Sequence, residues 1–228
     1  MNVKKELLKK QDLKYRDFVS ALVPTEDKSF FIGVRNPDCK IIAKNLFNEN
    51  NYEKFLHDLP HKYYEEYSVH SYLINLIKDY DTVIKELNRY LPYVNNWSTC
   101  DILKPKPFDK NKDRLIIDNK KWLKSKKTYT IRFAVNVLMT YFLDDCFKEE
   151  QMKDVVKIKS NEYYVNMMRA WYFATALCKQ RDTAMKYIKN KSLDDFTHNK
   201  SIQKAIESYR ISAKDKELLR KLKVKNEK

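Results

Sequence analysis

Residues 128–143, TYTIRFAVNVLMTYFL, are apolar on most faces of a helix, and together with one later stretch they decide the fold. Residues 162–177, EYYVNMMRAWYFATAL, align with them at an offset of 34 residues, which sets Tyr129 over Tyr163. An offset of this size is typical of two-helix repeats. Outside these stretches the internal similarity is faint, so the pattern favours an irregular α-solenoid of HEAT-like helix pairs over a consensus array.

The glycine content supports an all-α fold. The chain of 228 residues has one glycine, Gly33. Tight β-hairpin turns and glycine-rich phosphate loops both need residues that tolerate positive φ, so a single glycine argues strongly against all-β, Rossmann and P-loop architectures. Stretches of helical period follow one another with short breaks and no linker, and residues 1–228 are therefore predicted to form a single HEAT-like repeat domain.

The charge balance predicts an acidic partner. Lys and Arg number 46 against 31 Asp and Glu, a formal net charge of +15. DNA or RNA is the first candidate and an anionic membrane surface the second, while a generally lysine-rich composition is the alternative. The chain has no apolar signal segment or membrane span, no CxxC pair and no zinc-like histidine spacing. We expect a cytoplasmic protein without metal or cofactor.

Trp97 and Asp101 are the first candidate site residues. Their separation of four places both on one face of a helix. An indole face and a carboxylate both attract cations, so beside a DNA backbone they would suit a site that stabilises positive charge on a deoxyribose. The alternative is that Asp101 ends a short helix or pairs with Lys104.

Arg132 interrupts an otherwise apolar helix, and there it must be paired or face a polar groove. Both alternatives stay open: a buried partner for Asp144 or Asp145, or a phosphate clamp. Taken alone, Trp171 is more often a core residue than a ligand platform. Trp122 lies on an amphipathic stripe and is assigned to packing.

In their order and spacing, these residues resemble the DNA alkylation repair family of HEAT-like repeat proteins, the AlkD-like alkylpurine DNA glycosylases. The resemblance runs over nearly the whole chain. It is carried by residues 31–37 (FIGVRNP), Trp97, Asp101, Arg132, Trp171 and residues 203–209 (QKAIESY).

The resemblance implies a monomeric α-solenoid that cradles double-stranded DNA in a basic concave groove. It further implies base excision repair by hydrolysis of the N-glycosidic bond of N3- or N7-alkylated purines, without drawing the base into a pocket. Asp101, Trp97 and Trp171 would form the catalytic group. The residues expected to contact DNA are Arg132, Arg169, Lys104 and Lys200.

The N-terminus departs from the family pattern. Active members resembling this chain carry an additional N-terminal helix with an aromatic side chain that grips the lesion. Here the first 30 residues are predicted to hold one long helix, over residues 2–22, and a turn with Pro24. This departure favours the alternative function, a non-catalytic protein that recognises branched or unusual DNA. A third alternative is a basic helical scaffold for a protein partner.

Overall fold

The computed structural model describes residues 1–23 and 27–224, and every regular element in these ranges is helical. The prediction of an all-α fold is confirmed. The α-helices are α1 (Val3–Leu8), α2 (Leu13–Leu22), α3 (Asn36–Asn48), α4 (Glu53–His57), α5 (Tyr64–Leu76), α6 (Tyr80–Tyr90), α7 (Trp97–Ile102), α8 (Lys112–Leu123), α9 (Thr128–Tyr141), α10 (Glu149–Lys157), α11 (Tyr163–Lys179), α12 (Arg181–Lys189), α13 (Asp195–Glu207) and α14 (Ala213–Lys221). The chain divides into two compact units, Met1–Asp118 and Asn119–Lys228, and the division falls within α8.

The second unit is built on three stacked parallel helices, α9, α11 and α13. Helix α13 is aligned with α11 by contacts of Tyr163 with Phe196 near the starts and of Cys178 with Ser208 near the ends. Near the helix starts, the ring of Tyr129 lies 5.9 Å from that of Tyr164. Beyond the helix ends, Gln180 donates to the carbonyl oxygen of Leu143 at 3.0 Å. The two helices therefore contact each other both at their starts and at their ends, so α9 and α11 are parallel. Their separation in sequence is the 34-residue offset of the alignment. This arrangement is consistent with the predicted α-solenoid.

Trp122 packs in the core of this unit. Trp122 is 5% exposed and meets the ring of Phe133 edge-on, with 5.2 Å between centroids, so its assignment to packing is confirmed.

Two short helices of this unit, α10 and α12, were not predicted from the sequence pattern. They have nine residues each and bury only narrow apolar stripes. Their apolar residues do recur at helical spacing, but nine residues are fewer than the window of about 11 to 18 in which this period is assessed.

The N-terminal segment holds two helices where one was predicted. The break lies between Leu8 and Leu13, and Asp12 caps α2 by accepting a hydrogen bond from the backbone N–H of Tyr15 at 3.0 Å. Aspartate favours a helix N-cap over a helix interior because its side chain competes for backbone N–H groups. The prediction of one helix over residues 2–22 is wrong, and the predicted turn at Pro24 lies outside the described residues.

The following loop is held by a buried carboxylate. Glu65 is fully buried on α5, and its two oxygens accept backbone hydrogen bonds from Ile32 (2.9 Å), Gly33 (2.7 Å) and Val34 (3.2 Å). Gly33 has φ +94°, and a Cβ there would overlap the carbonyl oxygen of Asp12 at the start of α2. The single glycine is thus required by both conformation and close approach.

Candidate functional site

A short helix, α7, carries the first pair of predicted site residues. It begins after Asn96, whose side chain accepts the backbone N–H of Thr99 at 2.9 Å. Helix α5 fastens it: Ser71 donates to the carbonyl of Thr99 at 3.0 Å, and Asn75 to that of Ile102 at 2.8 Å. Because backbone atoms receive these bonds, the orientation of the helix is fixed independently of the side chains on its exposed face.

Trp97 is the first residue of α7 and is only partly buried. Its ring packs against the cluster of Val19, Val23, Phe31 and Tyr64. Its indole Nε1 donates to the carbonyl oxygen of Leu22, the last residue of α2, at 3.2 Å. The indole N–H therefore serves the fold, and only the uncovered part of the ring can meet a ligand.

Asp101 lies in the last turn of α7 and is partly exposed, on the same helix face as Trp97. Lys104 follows the helix and is exposed, while its backbone N–H donates to the side chain of Asn75 at 2.7 Å. The structure thus brings an indole, a carboxylate and a lysine onto one short segment. Their roles stay predictions.

Arg132 and Trp171 lie together in the second unit. Arg132 is 4% exposed, and its Nη1 donates to the carbonyl oxygen of Tyr164 at 2.8 Å. Its guanidinium carbon lies 5.9 Å from the centre of the Trp171 ring, within the range of a cation–π contact. Trp171 is 39% exposed, so the core assignment that its helix favoured when taken alone does not hold, and its catalytic role stays a prediction. Asp144, one of the two carboxylates considered for Arg132, binds Nζ of Lys179 at 2.6 Å.

A cavity of about 220 Å³ opens beside Trp171. Its other lining residues are Ala174, Thr175, Cys178, Lys204, Ser208 and Arg210. Two cationic side chains therefore accompany the exposed indole, and sequence reasoning did not single out either as a site residue. Lys204 falls within the segment 203–209 that carries the family resemblance, which was the available signal.

Arg169, predicted to contact DNA, is instead a buried structural residue. It is 2% exposed, its Nε donates to the carbonyl of Val155 at 3.2 Å, and its Nη1 donates to Asn166 at 2.9 Å and to Asp194 at 2.7 Å. Asp194 is the N-cap of α13. A guanidinium engaged in this way ties α11 to α10 and α13 and has no open face for a phosphate.

Lys200 lies on α13, partly exposed, with its Nζ 5.9 Å from the ring of Phe196. Such a position leaves the ammonium group free to turn toward solvent and an anion, because a cation–π contact at an exposed site is weak. A DNA contact by Lys200 stays a prediction.

Metal sites and membrane-spanning helices were also sought in the described residues. In residues 1–23 and 27–224, no group of three or more His, Cys, Asp or Glu side chains is placed to hold a metal ion. None of the helices in the described ranges is long and apolar enough to cross a membrane.

Comparison with known proteins gives one clear relationship. A search of curated proteins found no match to this chain. The family model described as DNA alkylation repair enzyme matches residues 3–206, far more than half of the sequence. The chain therefore belongs to the DNA alkylation repair enzyme family.

Proposed function

We propose that this protein is a monofunctional DNA glycosylase that hydrolyses the N-glycosidic bond of N3- or N7-alkylated purines in duplex DNA. The observation that carries the proposal is α7, whose short turn holds an indole and a carboxylate, both partly exposed, on one face. In a chain of the DNA alkylation repair enzyme family, this pair matches the chemistry that removal of an alkylated base requires.

The chemistry needs little from the protein beyond charge stabilisation. An N3- or N7-alkylated purine is cationic, so the bond from C1′ to the purine nitrogen breaks with its electron pair moving to the base, which leaves neutral. The sugar becomes oxocarbenium-like, and a water molecule adds to C1′ and loses a proton. In our proposal Asp101 orients this water and offsets the sugar charge, while Trp97 and Trp171 pack against the deoxyribose.

The grip on DNA would be electrostatic and independent of sequence. The net charge of +15 favours a polyanion, and the proposed phosphate contacts are Arg132, Lys104 and Lys200. Arg169 is left out because its guanidinium is already engaged by Val155, Asn166 and Asp194. Each phosphate contact should add about 0.9 to the slope of log affinity against log salt concentration. We further propose that residues 1–228 act as one HEAT-like domain and as a monomer.

The test is release of 7-methylguanine and 3-methyladenine from methylated duplex DNA. We expect Asp101→Asn to keep the melting temperature and the DNA affinity while lowering the excision rate by about 100-fold or more. Asp109→Asn is the matched control, because Asp109 is an exposed carboxylate of the same unit on a 3-10 turn. The control should excise as the unmodified protein does.

Two results would overturn the proposal. The first is equal excision by the Asp101→Asn variant, which would remove Asp101 from the mechanism. The second is binding of duplex DNA that weakens with salt but releases no alkylated base. That result would assign the chain to the non-catalytic alternative, recognition of branched or unusual DNA.

A further inference from the structure

Four aromatic rings form a continuous row across the starts of α9, α11 and α13. The row, here called the aromatic ledge, runs from Tyr129 through Tyr164 and Tyr163 to Phe196. Successive ring centroids are 5.9, 5.2 and 5.7 Å apart. Tyr129 and Tyr163 are 34 residues apart, and Phe196 follows 33 residues later, so the repeat itself generates the ledge.

The ledge is buried at Tyr129 and exposed at Tyr163 and Phe196. Tyr129 is 7% exposed, whereas Tyr163 is 54% and Phe196 39% exposed. In residues 119–224, the exposed large hydrophobic side chains are all aromatic: Tyr163, Trp171, Phe196 and Tyr209. Large aromatic rings are usually covered in a folded protein, and adjacent exposed rings mark a contact surface.

The surroundings of the ledge are basic. Four lysines lie beside it or just before the helices that carry it: Lys126, Lys127, Lys159 and Lys200. Three exposed carboxylates, Glu162, Asp194 and Asp195, lie at the same helix starts, and Asp194 is paired with the buried guanidinium of Arg169 at 2.7 Å. Since the lysines outnumber these carboxylates, an anionic ligand is favoured over a cationic one.

We propose that the aromatic ledge is a stacking site for unpaired DNA bases that adjoin the bound duplex. Aromatic faces stack on any base, and lysines beside them hold the phosphates of a single strand. Bases inside a duplex are stacked on neighbours at both faces, whereas an unpaired base has a face free to cover Tyr163 or Phe196. The inference rests on the DNA binding of the proposed function and does not depend on base excision.

The test compares the affinities of three fluorescent DNAs by anisotropy. The first is a blunt duplex, the second has the same duplex with a single-stranded overhang, and the third has an overhang of abasic nucleotides. Overhangs of both polarities are measured. We expect the overhang with bases to bind roughly 5- to 100-fold more tightly than the abasic one, since stacking on aromatic side chains is strong for each base.

The variant Tyr163→Leu/Phe196→Leu should lose this preference and keep its affinity for the blunt duplex. Leucine keeps apolar volume at both positions, and an unchanged melting temperature verifies the fold. Tyr209→Leu is the matched control, because Tyr209 is a fully exposed aromatic residue beyond the end of α13. It should retain the full preference.

Three results would overturn the inference. Equal binding of the normal and abasic overhangs would assign the affinity to the backbone charge alone. Equal loss of the overhang preference in the ledge variant and in the Tyr209→Leu control would make the effect nonspecific. If the ledge substitutions change the affinity for none of the three DNAs but weaken binding of a protein partner, the ledge has another ligand. Absence of excision with a base-dependent overhang preference would refute the glycosylase and leave the ledge standing.

Discussion

A buried pair of histidines should make the first unit sensitive to acid. Nε2 of His61 and Nδ1 of His70 are 2.8 Å apart, so the N–H of one ring donates a hydrogen bond to the nitrogen of the other. His70 stacks on the ring of Tyr90, with 3.9 Å between centroids, and Phe55 stacks on His61 at 4.6 Å. Apolar ring faces on both sides leave no room for water to solvate an imidazolium.

The loss of stability follows from the pKa values. Burial lowers the pKa of His61 from 6.5 to about 4, and burial also lowers the pKa of His70 well below 6.5. As pH falls, the unfolded chain takes up these protons first. The contribution to stability is therefore complete above pH 6.5 and is lost as pH falls toward 4. For His61 alone the loss is about 2 kcal/mol at pH 5.

Replacing both histidines by phenylalanine isolates this effect. In His61→Phe/His70→Phe both partners of the hydrogen bond are removed together. No buried polar group is therefore left without its partner, and the new rings lie among aromatic rings. Urea unfolding at pH 7 and pH 5 is the assay. We expect the unmodified protein to lose about 2 kcal/mol or more between the two conditions, and the double variant to lose much less.

The matched control is His57→Gln. His57 is about half exposed and lies 3.5 Å from Glu86, so its replacement should leave the acid sensitivity in place. If the double variant and the unmodified protein lose the same free energy of unfolding between pH 7 and pH 5, the pair is not the source of the sensitivity and the reasoning fails.

Two further substitutions test how the fold is held. Gly33→Ala adds strain at φ +94° and a clash with the carbonyl of Asp12, so urea unfolding should show a loss of about 3 kcal/mol; a loss below about 1 kcal/mol would contradict the close approach. Arg169→Met leaves the carboxylate of Asp194 without its guanidinium and should cost about 3 kcal/mol in the same assay, whereas unchanged stability with weakened DNA binding would restore Arg169 as a phosphate contact.

The parts of the fold that follow from local pattern could be predicted. The apolar stretches that became α9 and α11, and the 34-residue step between them, depend only on helical period and spacing. The pairing of Trp97 with Asp101 on α7 is local in the same sense, since four residues make about one helical turn. Each of these statements needed no knowledge of which helices pack together.

Burial set by distant segments could not be predicted. Arg169 is buried because Asp194, 25 residues later, receives its guanidinium at 2.7 Å. Trp171 sits on a helix that is apolar on most faces, and the positions of α9, α12 and α13 around it decide which face stays uncovered. The break at Asp12 is a different case, because aspartate at a helix start is a local signal that was present in the sequence.

The N-terminal helices matter to the candidate site through Trp97. The last carbonyl of α2 receives the indole N–H, and the residues near it, Val19 and Val23, pack on the ring. The start of α2 rests on the Gly33 loop, which the carboxylate of Glu65 holds. A lesion need not touch these helices for them to affect its removal, because any change that moves α2 also moves the indole that is proposed to contact the deoxyribose.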